Sequence, residues 1–214
     1  MKITKHAHAC VELERDGRAV LLDPGAFTPD AADLIARATA VLITHEHFDH
    51  VDSDALDIAL STRDDLSVWG PPSVTWRWSR EYPDRVHSVR HGDTFTANGL
   101  DVAVHGEVHA VIHADIPRVA NVGYLIDGSV DHPGDAYHVP AAPVPTLLVP
   151  TSGPWTKLGE AVDWIRAVKP DKMIQIHDIM LSEVGLRSTA RFLSPEMLTE
   201  VALTTVPDGE SIDV

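Results

Sequence analysis

The sequence contains a single cysteine, Cys10, so an internal disulfide is impossible. Such sparing use of cysteine is typical of reducing compartments and predicts a cytoplasmic protein. No apolar run approaches the roughly 20 residues that a membrane-spanning helix needs. The first six residues also have no apolar segment typical of a signal peptide. We therefore expect no membrane association.

Positive charge is also scarce, because 17 lysines and arginines face 32 aspartates and glutamates, for a net charge of −15. This balance opposes binding of nucleic acid or anionic membranes through a general basic surface. We expect a small-molecule substrate as the main partner, and a homo-oligomer remains open. The 13 histidines are a high count, and bound cations could offset part of the negative excess.

Hydrophobic periodicity and turn signals predict strands followed by αβ alternation in each half of the chain. Thr28 is the predicted N-cap of the first helix. No linker or low-complexity segment interrupts the pattern, so we predict a single α/β domain over residues 1–214. The predicted strands are 3–13, 19–22, 40–44, 66–69, 86–89, 94–96, 100–105, 121–126, 130–132, 146–149, 172–176 and 211–214. The predicted helices are 28–38, 53–60, 73–82 and 155–168.

The most informative stretch is the His-rich segment that follows the apolar run 40–43. It presents His45, His47, Asp49 and His50 within six residues. A solvated polar loop could have this composition, but four such residues directly behind a buried strand favour metal binding. Because side chains alternate along an extended backbone, the pattern predicts one ion at His45 and His47 and a neighbouring ion at Asp49 and His50.

Further metal-capable residues follow other predicted strands. His109 follows the strand 100–105, Asp135 follows 130–132 and His177 follows 172–176. Each alone is explained as a turn-former or a solvated residue. Together with the His-rich segment they indicate a metal site at one edge of a sheet. His105 and His113 flank His109, and the third histidine ligand stays open between His109 and His113, with His109 preferred.

These residues, in this order, resemble the metallo-β-lactamase-fold hydrolase superfamily, and within it the lactonase-like branch. The shared pieces are the His-x-His-x-Asp-His motif at 45–50, the later His109, the Gly-Asp pair ending at Asp135, and the Ile-His-Asp sequence around His177. Weaker pieces at 8–9 and 22–25 extend the resemblance over nearly the whole chain. It implies an αβ/βα four-layer sandwich, with two mixed β-sheets flanked by helices and a metal site at the sheet edge.

The resemblance also implies a role for each residue of the site. One ion would be bound by His45, His47 and His109, and the second by Asp49, His50 and His177, with Asp135 bridging both. Asp23 would orient a ligand histidine from behind, and His8 would line the site.

The chemistry follows from such a pair of ions, which together make hydroxide from a shared water near neutral pH. That hydroxide would attack a carbonyl or phosphoryl centre, and Asp49, besides binding metal, would steer the water or accept its proton. Zinc suits nitrogen and oxygen ligands best, and manganese or iron is acceptable.

Three functions compete on this pattern. The first is a dinuclear metal-dependent hydrolase that opens a small-molecule ester, lactone, amide or phosphodiester. The second is a mononuclear iron dioxygenase of the same fold, which uses two histidines and a carboxylate. The third is a non-catalytic metal-binding regulatory domain. A serine nucleophile is excluded, because the segment 152–154 lacks the G-x-S-x-G sequence.

Overall fold

The computed structural model describes all residues from Met1 to Val214 and contains two seven-stranded β-sheets. The strands, in chain order, are β1 (Lys2–Ala7), β2 (Cys10–Arg15), β3 (Arg18–Leu22), β4 (Ala40–Leu42), β5 (Ser67–Gly70), β6 (Val86–Ser88), β7 (Thr94–Ala97), β8 (Leu100–His105), β9 (Gly123–Ile126), β10 (Val130–His132), β11 (Thr146–Pro150), β12 (Lys172–Ile176), β13 (Leu203–Thr204) and β14 (Ser211–Asp213).

The two sheets have the same arrangement of antiparallel and parallel strands. The first has the order β14-β1-β2-β3-β4-β5-β6, and the second has the order β13-β12-β11-β10-β9-β8-β7. In each, an antiparallel meander continues into parallel strands, with the change of direction after β3 in the first sheet and after β10 in the second. Both sheets are therefore mixed, as predicted.

Helices cover the outer faces of the sheets. They are α1 (Ala31–Arg37), α2 (Ser53–Thr62), α3 (Pro72–Thr75), α4 (Leu158–Val168) and α5 (Glu183–Phe192). The largest apolar cluster joins residues of both sheets, for example Val11 and Tyr124. A second joins the first sheet to α1 and α2, and a third joins the second sheet to α4. This layering confirms the predicted αβ/βα sandwich. None of the five helices has the length and apolar content needed to cross a membrane.

The predicted strand over residues 3–13 is wrong, because the chain turns back at His8 and Ala9 to pair β1 with β2. His8 adopts φ +53°, a left-handed conformation. Glycine, asparagine or proline normally indicates such a turn, and none is present in this segment. The turn places His8 at the end of the hairpin instead of in a strand.

Three smaller differences concern element ends. Helix α1 begins at Ala31 with Asp30 as N-cap, while Thr28 lies in a turn closed by its N–H bond to the Gly25 carbonyl. The helix predicted over 73–82 is regular only over α3 and continues as turns. Strand β13 was not predicted, because two residues are too few to show strand periodicity.

Candidate metal centre

The two sheets are joined by backbone hydrogen bonds next to the His-rich segment. The Val122 N–H donates to the Thr44 carbonyl at 3.0 Å, and the His177 N–H donates to the His8 carbonyl at 2.8 Å. The Tyr124 hydroxyl donates to the Ile43 carbonyl at 2.8 Å. These bonds bring the chain after β4 beside the start of β9, and the turn between β1 and β2 beside the end of β12, so that residues far apart in sequence meet at one edge.

Eight metal-capable side chains gather there in two groups. Cluster one contains His45, His47, His109 and Asp135, and cluster two contains His8, Asp49, His50 and His177. Within each cluster the donor atoms all lie within 4.8 Å of one another, and only His47 and Asp49 are partly exposed. The structure thus brings together all seven residues expected to bind metal, with His8 beside them.

The Asp135 carboxylate reaches both clusters. Its Oδ1 lies 3.2 Å from His50 Nε2, and its Oδ2 lies 3.3 Å from His109 Nε2 and 3.2 Å from His177 Nε2. The indole N–H of Trp155 donates to Oδ2 at 2.7 Å and holds the carboxylate in place. Asp135 therefore has the position that a bridging ligand requires.

Several buried atoms in the centre have no hydrogen-bond partner within the protein. They include the Nε2 atoms of His50, His109 and His177 and Oδ1 of Asp135, whose close approaches to one another do not have hydrogen-bond geometry. Burying polar atoms without partners is costly, and native proteins rarely do so without a ligand or ion. Imidazole nitrogen and carboxylate oxygen are ligands of zinc, manganese and iron. The donor set therefore fits divalent metal ions.

The ring orientation of two histidines is set by acceptors behind them. Nδ1 of His50 lies 2.7 Å from Asp23 Oδ2, and Nδ1 of His109 lies 2.6 Å from the Ala110 carbonyl. Because a carbonyl only accepts hydrogen bonds, Nδ1 of His109 carries the proton and leaves the lone pair of Nε2 free for a metal. The Asp23 carboxylate acts on His50 in the same way and also accepts from the Thr44 N–H and hydroxyl.

The turn that contains Gly25 packs closely against the His-rich segment. A Cβ on Gly25 would lie 2.0 Å from the Asp49 carbonyl carbon, so only glycine allows this approach. The Ala26 N–H donates to the Phe48 carbonyl at 2.8 Å, and the Asp52 N–H donates to the Pro24 carbonyl at 2.9 Å. The turn that carries Asp23 and the loop that carries Asp49 are therefore fixed to each other.

His8 is completely buried and belongs to cluster two. Its Nε2 lies 3.2 Å from Asp49 Oδ2, and its ring centroid lies 3.8 Å from that of His177. It can act either as a fourth donor or as the group that orients Asp49. Its place beside the site agrees with the sequence-based expectation.

Charges in the centre are strongly coupled. Burial alone would raise the pKa of Asp135, but His50 and His177 hold that pKa well below its usual range. Burial opposes the charged form of His177, yet Asp135 beside it raises the pKa of His177 to about 9. The pKa of His50 is likewise raised against burial, chiefly by Asp135. Burial, followed by the charge of His50, holds the pKa of His45 well below its usual range. In the metal-free protein, protons on His50 and His177 therefore balance part of the carboxylate charge.

The two histidines that flank His109 lie elsewhere. His105 Nε2 lies 2.6 Å from Asp131 Oδ1, in a buried pair outside both clusters. The His113 side chain is 66% exposed. Of the three histidines in this region, only His109 joins the candidate ligands.

Sequence reasoning missed two residues that hold Asp135. Asn121 donates from Nδ2 to the Pro133 carbonyl at 3.0 Å and accepts the Asp135 N–H at 2.9 Å. The second is Trp155, whose indole N–H donates to Asp135 Oδ2. No sequence pattern indicated either residue, because each contact is tertiary and joins residues 12 to 20 positions apart.

Three of the seven non-glycine residues with positive φ lie in the same place. His8, Asp23 and His177 adopt φ of +53°, +48° and +52°. Residues other than glycine in this region cost on the order of 1–3 kcal/mol each and persist where the surroundings enforce them. Three such residues at one centre indicate a site in which geometry has been selected over stability.

Comparisons with known proteins concern the family and the fold. A family described as the beta-lactamase superfamily domain matches residues 2–177. Protein Rv0786c of Mycobacterium tuberculosis is 33% identical over 209 residues, 95% of this chain and 94% of that protein. The UPF0173 metal-dependent hydrolase MK1542 of Methanopyrus kandleri is 29% identical over 203 residues, 83% of this chain and 84% of that protein. The metallo-beta-lactamase fold protein YhfI from Bacillus subtilis superposes with a TM-score of 0.74 at 14% identity, covering 99% of this chain and 98% of that one.

Proposed function

The chain belongs to the beta-lactamase superfamily, and from that premise we propose that it is a hydrolase with two divalent metal ions that acts on a small molecule. The name of the Methanopyrus relative, a metal-dependent hydrolase, supports this class of reaction. The observation that carries the proposal is the position of Asp135, whose carboxylate lies within 3.3 Å of histidines from both clusters.

We assign one ion to His45, His47 and His109 and the second to Asp49, His50 and His177, with Asp135 between them. Two such ions would supply a water activated near neutral pH and a Lewis acid for the substrate oxygen. Zinc is the first candidate, because imidazole nitrogens make up most of the donors, and manganese or iron is acceptable. Cys10 is buried in the apolar cluster beneath α1 and α2.

Asp49 is the residue best placed to act on the attacking water. Burial would raise its pKa, but His177, whose Nε2 lies 3.6 Å from Asp49 Oδ2, and His8, whose Nε2 lies 3.2 Å from it, hold that pKa well below its usual range. It therefore stays anionic and accepts hydrogen bonds. So low a pKa also makes Asp49 a weak proton acceptor, which favours orientation of the water as its main role. Its partial exposure gives solvent and substrate access to this side of the centre.

A cavity next to the centre supports a small-molecule substrate. It has a volume of about 480 Å³, within the usual range of ligand pockets. None of the candidate metal ligands lines this cavity, although Ala110 and Ala136, the residues after His109 and Asp135, do. A small cleft lined by His47 and His109 shares Ala110 and Arg118 with the cavity, so the cleft adjoins it. Arg118 also donates from Nε to the His109 carbonyl at 2.6 Å.

The donor count favours the hydrolase over the iron dioxygenase. A mononuclear site of two histidines and one carboxylate would use three donors. Here each cluster has four, and the second cluster is as complete as the first. The same completeness opposes a non-catalytic domain, in which loss of a ligand would be tolerated.

Metal analysis combined with a substrate panel tests the proposal. We expect about two divalent ions per chain after reconstitution with zinc or manganese, and hydrolysis of at least one ester, lactone, amide or phosphodiester that chelation abolishes. One tight iron with the second site unfilled would support the dioxygenase. Failure to bind any metal after reconstitution would refute both enzymes.

A further inference from the structure

His132, at the end of β10, is a completely buried histidine that belongs to neither cluster. Its Nε2 lies 2.9 Å from the Ala9 carbonyl, and its Nδ1 lies 3.2 Å from the Gly134 backbone nitrogen. A carbonyl can only accept and an N–H can only donate, so Nε2 carries the proton and Nδ1 does not. The two bonds together require the neutral imidazole in a single tautomer.

The bond from Nε2 holds the turn on which cluster two depends. Ala9 follows His8, whose left-handed φ makes this turn. The His8 carbonyl accepts the His177 N–H, and the His8 ring contacts both Asp49 and His177. A shift of the Ala9 carbonyl would therefore move His8 and loosen the strained backbone of His177.

The bond to Nδ1 holds the turn that carries Asp135. Gly134 has φ +63°, and a Cβ there would lie 2.4 Å from Asn121 Oδ1, so the turn is tightly packed. The Gly134 N–H is fixed by His132, and the next N–H, that of Asp135, is fixed by Asn121. These two bonds set the direction in which the Asp135 carboxylate leaves the backbone.

We propose that His132 is a positioning residue that couples the two metal sites, holding the Asp135 turn with one ring nitrogen and the His8 turn with the other. The inference rests on the proposed two-ion centre. An apolar residue of similar size would fill the space but leave the Ala9 carbonyl and the Gly134 N–H without their partner. Residues behind metal ligands commonly change metal affinity by roughly 10–100-fold when replaced.

Three substitutions separate the two bonds. An asparagine side chain reaches the position of Nδ1, and a glutamine side chain reaches that of Nε2. His132→Asn should therefore keep only the bond from Gly134, and His132→Gln only the bond to Ala9. His132→Leu keeps neither. The matched control is His105→Asn, a change of another buried histidine whose partner is Asp131.

The measurement is the pair of stepwise dissociation constants for Zn²⁺, determined by competition with a chromophoric chelator, together with the absorption spectrum of the Co²⁺ form. We expect His132→Asn to weaken one ion by roughly 10–100-fold and to leave the other near the wild-type value. Because Asp135 reaches both clusters, His132→Gln should weaken both ions. His132→Leu should weaken both the most and alter the Co²⁺ spectrum.

Three outcomes would overturn the inference: wild-type constants in His132→Leu, equal losses in all three His132 variants, or an equal loss in His105→Asn. If His132→Leu does not fold, the asparagine and glutamine variants still decide, because wild-type constants in both, or equal losses in both, would overturn the inference. If the wild-type protein binds two ions and the His132 variants bind them equally well, only this inference is refuted. Wild-type protein that binds none removes the proposed function and this inference with it.

Discussion

Replacing Asp135 with asparagine is the sharpest test of the two-ion centre. Asp135→Asn keeps the shape of the side chain, and its amide oxygen can still accept the Trp155 indole N–H. What disappears is one negative charge on a residue that is only 3% exposed and lies within 3.3 Å of His50, His109 and His177. The change therefore separates the charge of Asp135 from its packing.

The size of the effect follows from two opposing contributions. A pair of unit charges 4 Å apart attracts by about 4 kcal/mol at an effective dielectric of 20, and a divalent ion doubles that to about 8 kcal/mol. Against this, the loss of Asp135 lowers the raised pKa of His177, which is about 9, so that fewer protons compete with metal. At pH 7 that gain is at most about 2 pKa units, or roughly 2.7 kcal/mol. The loss is larger by about 5 kcal/mol, so we expect at least one ion to bind up to about 10⁴-fold more weakly.

The assay is metal content after equilibrium dialysis, with circular dichroism to follow the fold and turnover on any substrate the panel identifies. We expect Asp135→Asn to retain its fold, bind close to one ion per chain and lose hydrolysis. The matched control is Asp131→Asn, because Asp131 is a buried carboxylate that also pairs with a histidine but lies outside both clusters. It should lower stability without changing metal content. Two ions and normal turnover in Asp135→Asn would refute the bridging role and leave Asp135 as a turn residue.

Three further predictions test the assignment. His109→Ala should lower metal occupancy, whereas His113→Ala, which changes an exposed side chain, should leave it unchanged. If elemental analysis shows metal loss in His113→Ala and none in His109→Ala, the assignment of His109 is wrong. Metal affinity should rise with pH up to about 9, because binding must displace the proton that Asp135 holds on His177. Each proton released raises the metal affinity about tenfold per pH unit. A competition titration that shows constant affinity between pH 6 and 9 would contradict this. Cys10→Ser should keep both ions, because burial raises the pKa of the Cys10 thiol and keeps it protonated. The free energy of unfolding, measured with denaturant, should fall by about 1–3 kcal/mol. Loss of metal would identify a thiolate ligand.

Much of the fold could be predicted from local patterns. The hairpin of β7 and β8 was indicated by Asn98 and Gly99, which both adopt the positive φ that such a turn requires. Strand β12 was indicated by its apolar run. The alternation of elements indicated one α/β domain with strands and helices in each half. The two mixed sheets and their helical layers were implied only by the resemblance to the metallo-β-lactamase fold, because pairing between distant strands leaves no local pattern.

The His8 turn could not be predicted in the same way. Residues 3–13 have the composition of one strand, and no turn-forming residue interrupts them. The left-handed conformation of His8 is maintained by tertiary contacts, namely the bond from the His177 N–H and the bond from His132 to Ala9. Local propensity has no access to bonds made by residues more than a hundred positions away.

For the candidate centre, local sequence patterns indicated which residues gather at the site. The short spacing of His45, His47, Asp49 and His50 is a covalent property of one segment, and the positions of His109, Asp135 and His177 after strands pointed to the same edge. Only the tertiary structure decided that His109, not His113, joins the others, and that Asn121, Trp155 and His132 hold Asp135 or its turn in place. The physical reason is that ligand identity depends on side-chain chemistry, whereas ligand geometry depends on how the two sheets pack against each other.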